Sequence, residues 1–287
     1  GDGTNVLDGG GGNDLLDGTA GNNTYVFGRG YGQDRVSYGF PYDLGFSSTV
    51  QMTSDLEPNE VHVVRDGDQL IFTIDGTTDR LTLEGIFGAD FTRAVTVQFA
   101  DGTVWDLNTI QDRVLSGTGE DGRLEGFSDR NDLIQGAAAD EILVGLTGDD
   151  VLDGGAGHDV LYGGGGNDTY MFDRGSGRDT AFDANPGEGS SPEPSFTFST
   201  TDLDRVQVGA GLVPNDVLVM RSGEHLLLSV PETGDRLTLS YFYADPAFQV
   251  EEVAFSDGTI WNAAMLQARA EEVIAGTDEA ETLVGSG

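Results

Sequence analysis

Two unbroken copies of one nine-residue pattern stand in tandem from Gly154 to Met171, GGAGHDVLYGGGGNDTYM. Written GGxGxDxUx, with U a large apolar residue, the pattern puts Leu161 and Tyr170 at U and Asp159 and Asp168 at the acid position. The glycines, Gly155, Gly157, Gly164 and Gly166 among them, allow close backbone approach, so six residues can make a tight turn with inward-pointing carbonyls. The other three suffice for one short strand, of which only the middle residue faces a core. One nonapeptide is therefore a turn plus a strand, and two complete a coil. Turns two repeats apart then stack on the same edge at about the 4.8 Å strand spacing, which brings their acids together. Two carboxylates about 5 Å apart repel by roughly 3 kcal/mol at an effective dielectric near 20. A divalent cation between them turns repulsion into coordination, and a cage of carboxylate and carbonyl oxygens suits Ca²⁺.

Weaker copies surround this core. The opening residues carry U positions at Leu7, Leu16 and Tyr25, with Asn5, Asp14 and Asn23 at the acid position and Gly10 and Gly12 in the middle turn. Asp34 continues the series after a two-residue insertion. Here the pair Asp14 with Asp34 is expected to be the stronger site and Asn5 with Asn23 weak, because Asn offers a carbonyl oxygen but no charge. A second array starts after Gly117 with degenerate turns ending in Leu124 and Ile134, then Glu141, Asp150, the two perfect copies, and Asp179. Its expected same-edge pairs are Glu141 with Asp159, Asp150 with Asp168, and Asp159 with Asp179. With more carboxylates, this array is expected to hold calcium more tightly than the first.

The tandem copies resemble the RTX (repeats-in-toxin) calcium-binding β-roll, a parallel β-helix of proteins secreted by Gram-negative bacteria. Between the arrays the period changes to strand, Asp-Gly turn, strand: NEVHVV, RDGDQ, LIFTI, and later VTVQFADGTVW. Through NNTYVFGRGYGQD, DRLTLEGIF and FADGTVWD this part resembles the haemolysin-type calcium-binding-related domain. Asp106 is placed to cap a short helix carrying Leu107, Ile110 and Val114 on one face. The insert is duplicated: Val206 to Asn262 aligns without gaps on Val50 to Asp106, with a second helix expected near Ala263 to Ala270.

These readings predict an all-β chain in which parallel β-roll segments alternate with two homologous β-rich inserts. The expected divisions are array I at 1–37, insert I at 38–116, array II at 117–182, a Pro/Ser/Gly-rich loop at 183–204, insert II at 205–271, and the start of a further array at 272–287. Gly1 already lies inside a repeat, which predicts a longer parent chain. In that parent the C-terminal export signal implied by the resemblance lies beyond Gly287.

Composition narrows the function. Net charge is −36, from 50 acidic residues against 14 basic ones, every one of the latter an Arg. Nucleic acid and anionic membranes are set aside as partners, and no apolar run approaches the roughly 18 residues of a membrane span. With 44 glycines and this charge, the arrays are expected to fold only with metal. No cysteine is present, which removes disulfides, zinc thiolates and cysteine nucleophiles together. His62, His158 and His225 stand far apart in no ligand spacing, and no GxSxG elbow, HExxH helix, P-loop or EF-hand loop occurs. Asn22 and Asn167 begin N-x-T sequons but lie in the turns.

Aromatic residues Tyr25, Phe27, Tyr31, Trp105, Tyr170, Phe172, Tyr241, Phe242, Tyr243 and Trp261 either stack on sugars or fill the junction between roll and insert. The junction is the favoured reading. Asp79-Arg80 and Asp235-Arg236 are expected to form local ion pairs. The resemblance implies a secreted, non-enzymatic calcium-binding structural module of an RTX-type surface, adhesin or extracellular-matrix protein, exported by type I secretion and folding outside the cell. Expected partners are calcium, further copies of the chain end to end or as a filament, and an extracellular polysaccharide. The alternatives are a polysaccharide-binding module and the accessory C-terminal region of a secreted lipase, protease or epimerase.

Overall fold

A computed structural model describes residues 3–18, 21–38, 47–88, 91–92, 94–117, 122–128, 130–183 and 202–272. The expected Pro-rich loop falls almost wholly outside these residues, as does the expected start of a third array. The described chain is almost entirely β and divides into two compact units, residues 1–114 and 115–287.

In the first unit, strands β1 (Val6–Asp8), β2 (Leu15–Asp17), β3 (Asn23–Phe27) and β4 (Gln33–Ser37) follow the nonapeptide period. As a period of turn plus strand requires, alternate strands join: β1 pairs in parallel with β3, and β2 with β4. The insert does not then begin a separate domain. Its β5 (Ser48–Met52) pairs in parallel with β3, and its β8 (Arg80–Leu83) pairs in parallel with β4. Each roll sheet would otherwise end in an unpaired edge, and the insert strands satisfy it. The hairpin β6 (Val61–Asp66) and β7 (Gln69–Ile74) turns at Gly67, whose φ of 59° a side chain would strain, and extends the second sheet antiparallel. A small hairpin of β9 (Phe87–Gly88) and β10 (Phe91–Thr92) follows. Then β11 (Val95–Gln98) and β12 (Val104–Trp105) complete the first sheet before helix α1 (Leu107–Val114). Asp106 caps that helix through Thr109 N at 2.9 Å, and Ile110 and Val114 are buried as the spacing predicts.

The second unit repeats the plan with more turns. One sheet runs β13 (Gly122–Glu125), β15 (Glu141–Thr147), β17 (Val160–Gly165), β19 (Arg178–Phe182), all parallel. It continues through the insert strands β23 (Asp235–Leu239), β22 (His225–Val230) and β21 (Leu218–Ser222), and ends on β26 (Glu271–Glu272). The other runs β14 (Leu133–Gln135), β16 (Val151–Asp153), β18 (Thr169–Phe172), β20 (Arg205–Val208), β24 (Glu252–Ala254), β25 (Ile260–Asn262). Helix α2 (Ala263–Arg269) follows, capped by Asn262 onto Met265 N at 3.0 Å.

The narrow core is made of U positions and their equivalents in the insert. Leu143, Leu152, Leu161, Tyr170, Val206, Leu237 and Val253 are all fully buried, so the apolar column runs through from roll to insert. The boundaries drawn at 37 and at 182–204 therefore separate sequence periods and not folded bodies. Most of the aromatics sit at this junction: Tyr25, Phe27, Trp105, Tyr170, Phe172, Phe242 and Trp261 are buried. Tyr31 and Tyr243 are half-buried, and Tyr241 has 39% of its surface exposed.

Candidate metal-binding turns

The acid positions form ladders along the two edges of the roll. Asp150 N donates to Asp168 Oδ1 at 2.9 Å, Glu141 N to Asp159 Oδ1 at 2.8 Å, and Asp159 N to Asp179 Oδ1 at 3.0 Å. In the first unit Asp14 N donates to Asp34 Oδ1 at 2.9 Å. Each expected same-edge pair is thus brought together, through the amide of the earlier residue and the carboxylate of the later one. Asn5 and Asn23 also meet, but Asn5 Nδ2 donates to Asn23 Oδ1 at 2.9 Å, so one uncharged side chain occupies the oxygen of the other.

These carboxylates are deeply buried: Asp34, Asp150, Asp159, Asp168 and Asp179 are between 0 and 2% exposed. While one oxygen accepts the amide, the Oδ2 atoms of Asp14, Asp34, Asp150, Asp159 and Asp168 are shut from solvent and meet no hydrogen-bond donor. They turn into their own glycine turns. A Cβ on Gly154 would collide with Asp159 Oδ2, and one on Gly163 with Asp168 Oδ2. Among the glycines at the fourth place of the pattern, Gly166 (φ 124°) lies so close over Gly148 O that a side chain there would strike that carbonyl.

A buried, donorless carboxylate oxygen in a turn of carbonyls is an unfavourable arrangement unless a cation faces it. The residues present fit a hard divalent ion. Among the described residues no three acidic or histidine side chains converge on one point, so carbonyls of the turns must supply most of the oxygens, as Ca²⁺ accepts.

The electrostatics agree. Burial raises the Asp168 carboxyl to about 8, helped by the charges of Asp204, Asp150 and Asp149 and opposed by the Asp150 amide. Burial likewise lifts Asp150 to about 6 and Asp179 to about 7, and it pushes Asp159 and Asp34 upward. Without a counter-ion these groups resist ionisation where ordinary carboxylates are fully charged.

Several ladder residues escape a search for the full nonapeptide. Asp132 N donates to Asp150 Oδ1 at 2.8 Å, which extends one edge backward. Asp168 N donates to Asp204 Oδ1 at 2.7 Å, and Asp204 N to Glu251 Oε2 at 2.8 Å, which carries that edge into the insert. Their signal is the shorter one, an acid two residues before a buried apolar residue: Asp132 before Ile134, Asp204 before Val206, Glu251 before Val253.

Asp79 and Asp235 share that spacing, and here the expected ion pairs with Arg80 and Arg236 are not what forms. Asp79 accepts the amides of Gly30 and Gly32 at 2.8 and 2.7 Å, and Asp235 those of Gly175 and Gly177 at 2.9 and 3.1 Å. Each fastens the insert to the last roll turn. Burial alone would raise Asp79, but the two amides, Thr77 and Arg29 outweigh it and hold the carboxyl below its usual range. The histidines lie elsewhere: His62 Nε2 meets Asp75 Oδ1 at 2.6 Å, His225 Nδ1 accepts Tyr241 N at 3.1 Å, and the His158 amide donates to Asp140 at 2.8 Å.

Comparison with known families bears on the same segments. A model described as the RTX calcium-binding nonapeptide repeat matches residues 1–33 and 135–170. The two arrays are RTX repeats. The haemolysin-type calcium binding protein related domain matches residues 69–109 and 225–265, the cores of the two inserts. The chain is 28% identical over 116 residues to the iron-regulated protein FrpA of Neisseria meningitidis serogroup C. That match takes in 39% of this chain and 10% of the relative, so the RTX chain spans only a small part of it. Among solved structures, the extracellular lipase LipA from Serratia marcescens is similar at 17% identity and a TM-score of 0.32, over 83% of this chain and 36% of that one. No helix among the described residues is long and apolar enough to cross a membrane.

Proposed function

We propose that this chain is a secreted, non-enzymatic structural module whose RTX turns take up calcium outside the cell and become rigid as they do so. The observation that carries this reading is the ladder Asp132, Asp150, Asp168, Asp204, in which each later carboxylate holds the amide of the earlier residue. In Asp150 and Asp168 the second oxygen is left buried without a donor. In this reading Asp14, Asp34, Glu141, Asp150, Asp159, Asp168 and Asp179 supply charge to the ions and the glycine turns supply carbonyls. The second array, with the longer ladder, holds them more tightly. The Asn5–Asn23 turn binds weakly, because it carries no charge and the Asn5 amide already occupies the Asn23 oxygen.

Calcium neutralises a carboxylate ladder that self-repulsion otherwise opposes, so binding and folding are one event. Extracellular calcium modules work in roughly the 10⁻⁴ to 10⁻³ M range, which keeps such a chain unfolded in the cytosol and folded outside. Far-UV circular dichroism tests the reading. In EGTA the arrays should lose β signal, and millimolar Ca²⁺ but not Mg²⁺ should restore it. A spectrum indifferent to chelation would overturn it.

A further inference from the structure

The two units are built to one plan, so a feature present in only one of them is not required by the fold. The outer face of β17, β19 and β23 carries such a feature. Tyr162 and Phe182 stack there with ring centroids 4.9 Å apart and planes 15° from parallel. Tyr241 follows at 6.2 Å from Phe182, and Phe248 at 5.8 Å from Tyr241. In the first unit the duplicated positions of Tyr162, Phe182 and Tyr241 are Asp17, Ser37 and Gly85.

Tyr241 is held at φ 59°, in the left-handed region, where Gly85 sits at φ 62° in the first unit. That conformation is unfavourable for a residue that carries a side chain. The His225 ring fixes it by accepting the Tyr241 amide at 3.1 Å. The second unit thus keeps a strained, exposed aromatic where its duplicate uses the unstrained residue. Strain kept in this way points to use of the side chain.

The charges on this face differ in the same sense. Arg178 and Arg236 lie directly opposite each other on β19 and β23. Among the described residues neither side chain has an ion-pair or hydrogen-bond partner, and Arg236 Nε is buried without an acceptor. Like charges set opposite each other are unfavourable. In the first unit the matching face is a groove of about 800 Å³, where Arg80 stands at the place of Arg236 but Gln33 at the place of Arg178. The second unit therefore sets two guanidinium groups side by side where the first has one.

We propose that this face of the second unit binds an acidic polysaccharide, with sugar rings on Tyr162, Phe182 and Tyr241 and uronate carboxylates on Arg178 and Arg236. The C–H faces of a pyranose suit the negative faces of aromatic rings, and guanidinium groups suit carboxylates in bidentate fashion. Phe182 lies four residues beyond Arg178 on one strand, about 13 Å away at 3.3 Å per residue. That is the span of a short oligosaccharide and not of one sugar. The net charge of −36 does not forbid such a ligand, because repulsion beyond about 8 Å is screened at physiological ionic strength.

The test is isothermal titration of the full chain in millimolar Ca²⁺ with a hexamer of galacturonic acid, and with maltohexaose as the neutral probe. Tyr241→Gly and Arg178→Gln install the residues that the first unit already carries, so both should fold. Each should weaken uronate binding about tenfold, and maltohexaose should bind more weakly than the uronate throughout. The calcium-dependent circular dichroism of both variants should match that of the unaltered chain, which separates loss of this face from failure of calcium-driven folding. Three results would overturn the proposal: no uronate binding at several millimolar, binding untouched by either variant, or equal affinity for the neutral hexamer.

Discussion

The amide of Asp150 donates to Asp168 Oδ1 at 2.9 Å across 18 residues of sequence, while Asp168 Oδ2 is buried with no donor at all. One side chain therefore has two separable duties, an acceptor for the fold and a charge for the ion. Asp168→Asn keeps the acceptor and removes the charge. It should leave the metal-free chain as structured as before, or more so, and blunt its calcium response. Asp168→Ala should also strand the Asp150 amide, at a cost of about 1–3 kcal/mol. Calcium titrations followed by circular dichroism, run beside Asn23→Ala as the uncharged comparison, distinguish the two, and equal effects of all three would sink the pairing scheme.

Acidity should act as a weak substitute for calcium. The folded values of Asp150, Asp179 and Asp168, about 6, 7 and 8, stand above the unfolded value of about 3.9. The metal-free fold thus binds more protons than the unfolded chain, so this contribution is complete below about pH 4 and is lost as pH rises through 6 to 8. In EGTA the second array should hold more β structure at pH 5 than at pH 8.5. Protons compete for the same oxygens, so the calcium midpoint should move to higher concentration at pH 5. A metal-free spectrum independent of pH would contradict the burial of these groups.

Leu146 occupies the second place of its turn at φ 80°, where Gly155 of a perfect repeat has the same φ. Leu146→Gly should relieve roughly 1 kcal/mol of left-handed strain and raise the calcium-loaded melting temperature by about 2–4 °C. A fall in melting temperature would mean that the leucine side chain contributes more in packing than its backbone costs.

Gly154 and Gly165 look alike in sequence but not in space. A methyl on Gly154 would strike Asp159 Oδ2, whereas one on Gly165 would meet nothing within 4 Å. Gly154→Ala should weaken calcium binding severely and Gly165→Ala hardly at all, as read from calcium midpoints of the two variants.

Asp235→Ala should loosen the insert from the roll without touching any array carboxylate. The amides of Gly175 and Gly177 lose their acceptor, and amide hydrogen exchange at those two glycines should accelerate. Protection that persists there would show that the parallel pairing of β19 with β23 suffices alone.

Much of this was legible before any coordinates. The nine-residue period dictated alternate parallel pairing, and the pairs Asp14–Asp34, Asp150–Asp168 and Asp159–Asp179 followed from it because stacking at strand spacing leaves them no other neighbours. The insert's hairpins were legible through their Asp-Gly turns, its first helix through Asp106, and its second as the expected stretch near Ala263 to Ala270. The continuity of roll and insert was not. Strands such as β5 and β8 read locally as members of hairpins or meanders, and nothing in Val50 or Leu81 announces a parallel partner one array earlier. The role of Asp235 was missed for a related reason: beside Arg236 it looks like half of an ion pair, and only the register of β23 on β19 aims it at two glycine amides. Tyr241 was grouped with buried aromatics because its exposure depends on a left-handed backbone that sequence does not display.

At the acid position the amide-to-carboxylate bonds all run one way. In each pair the earlier residue gives its N–H and the later residue gives its oxygen, and the last acceptors, Glu251 and Asp235, belong to the insert. The acid-position amide of a turn is thus satisfied only by chain that comes after it. One place earlier the bonds run back, from His158 N to Asp140 and from Asn167 N to Asp149. An array severed from its following insert would lose the acceptors of its last amides and fray from its C-terminal side. The insert is in this sense the keystone of its unit.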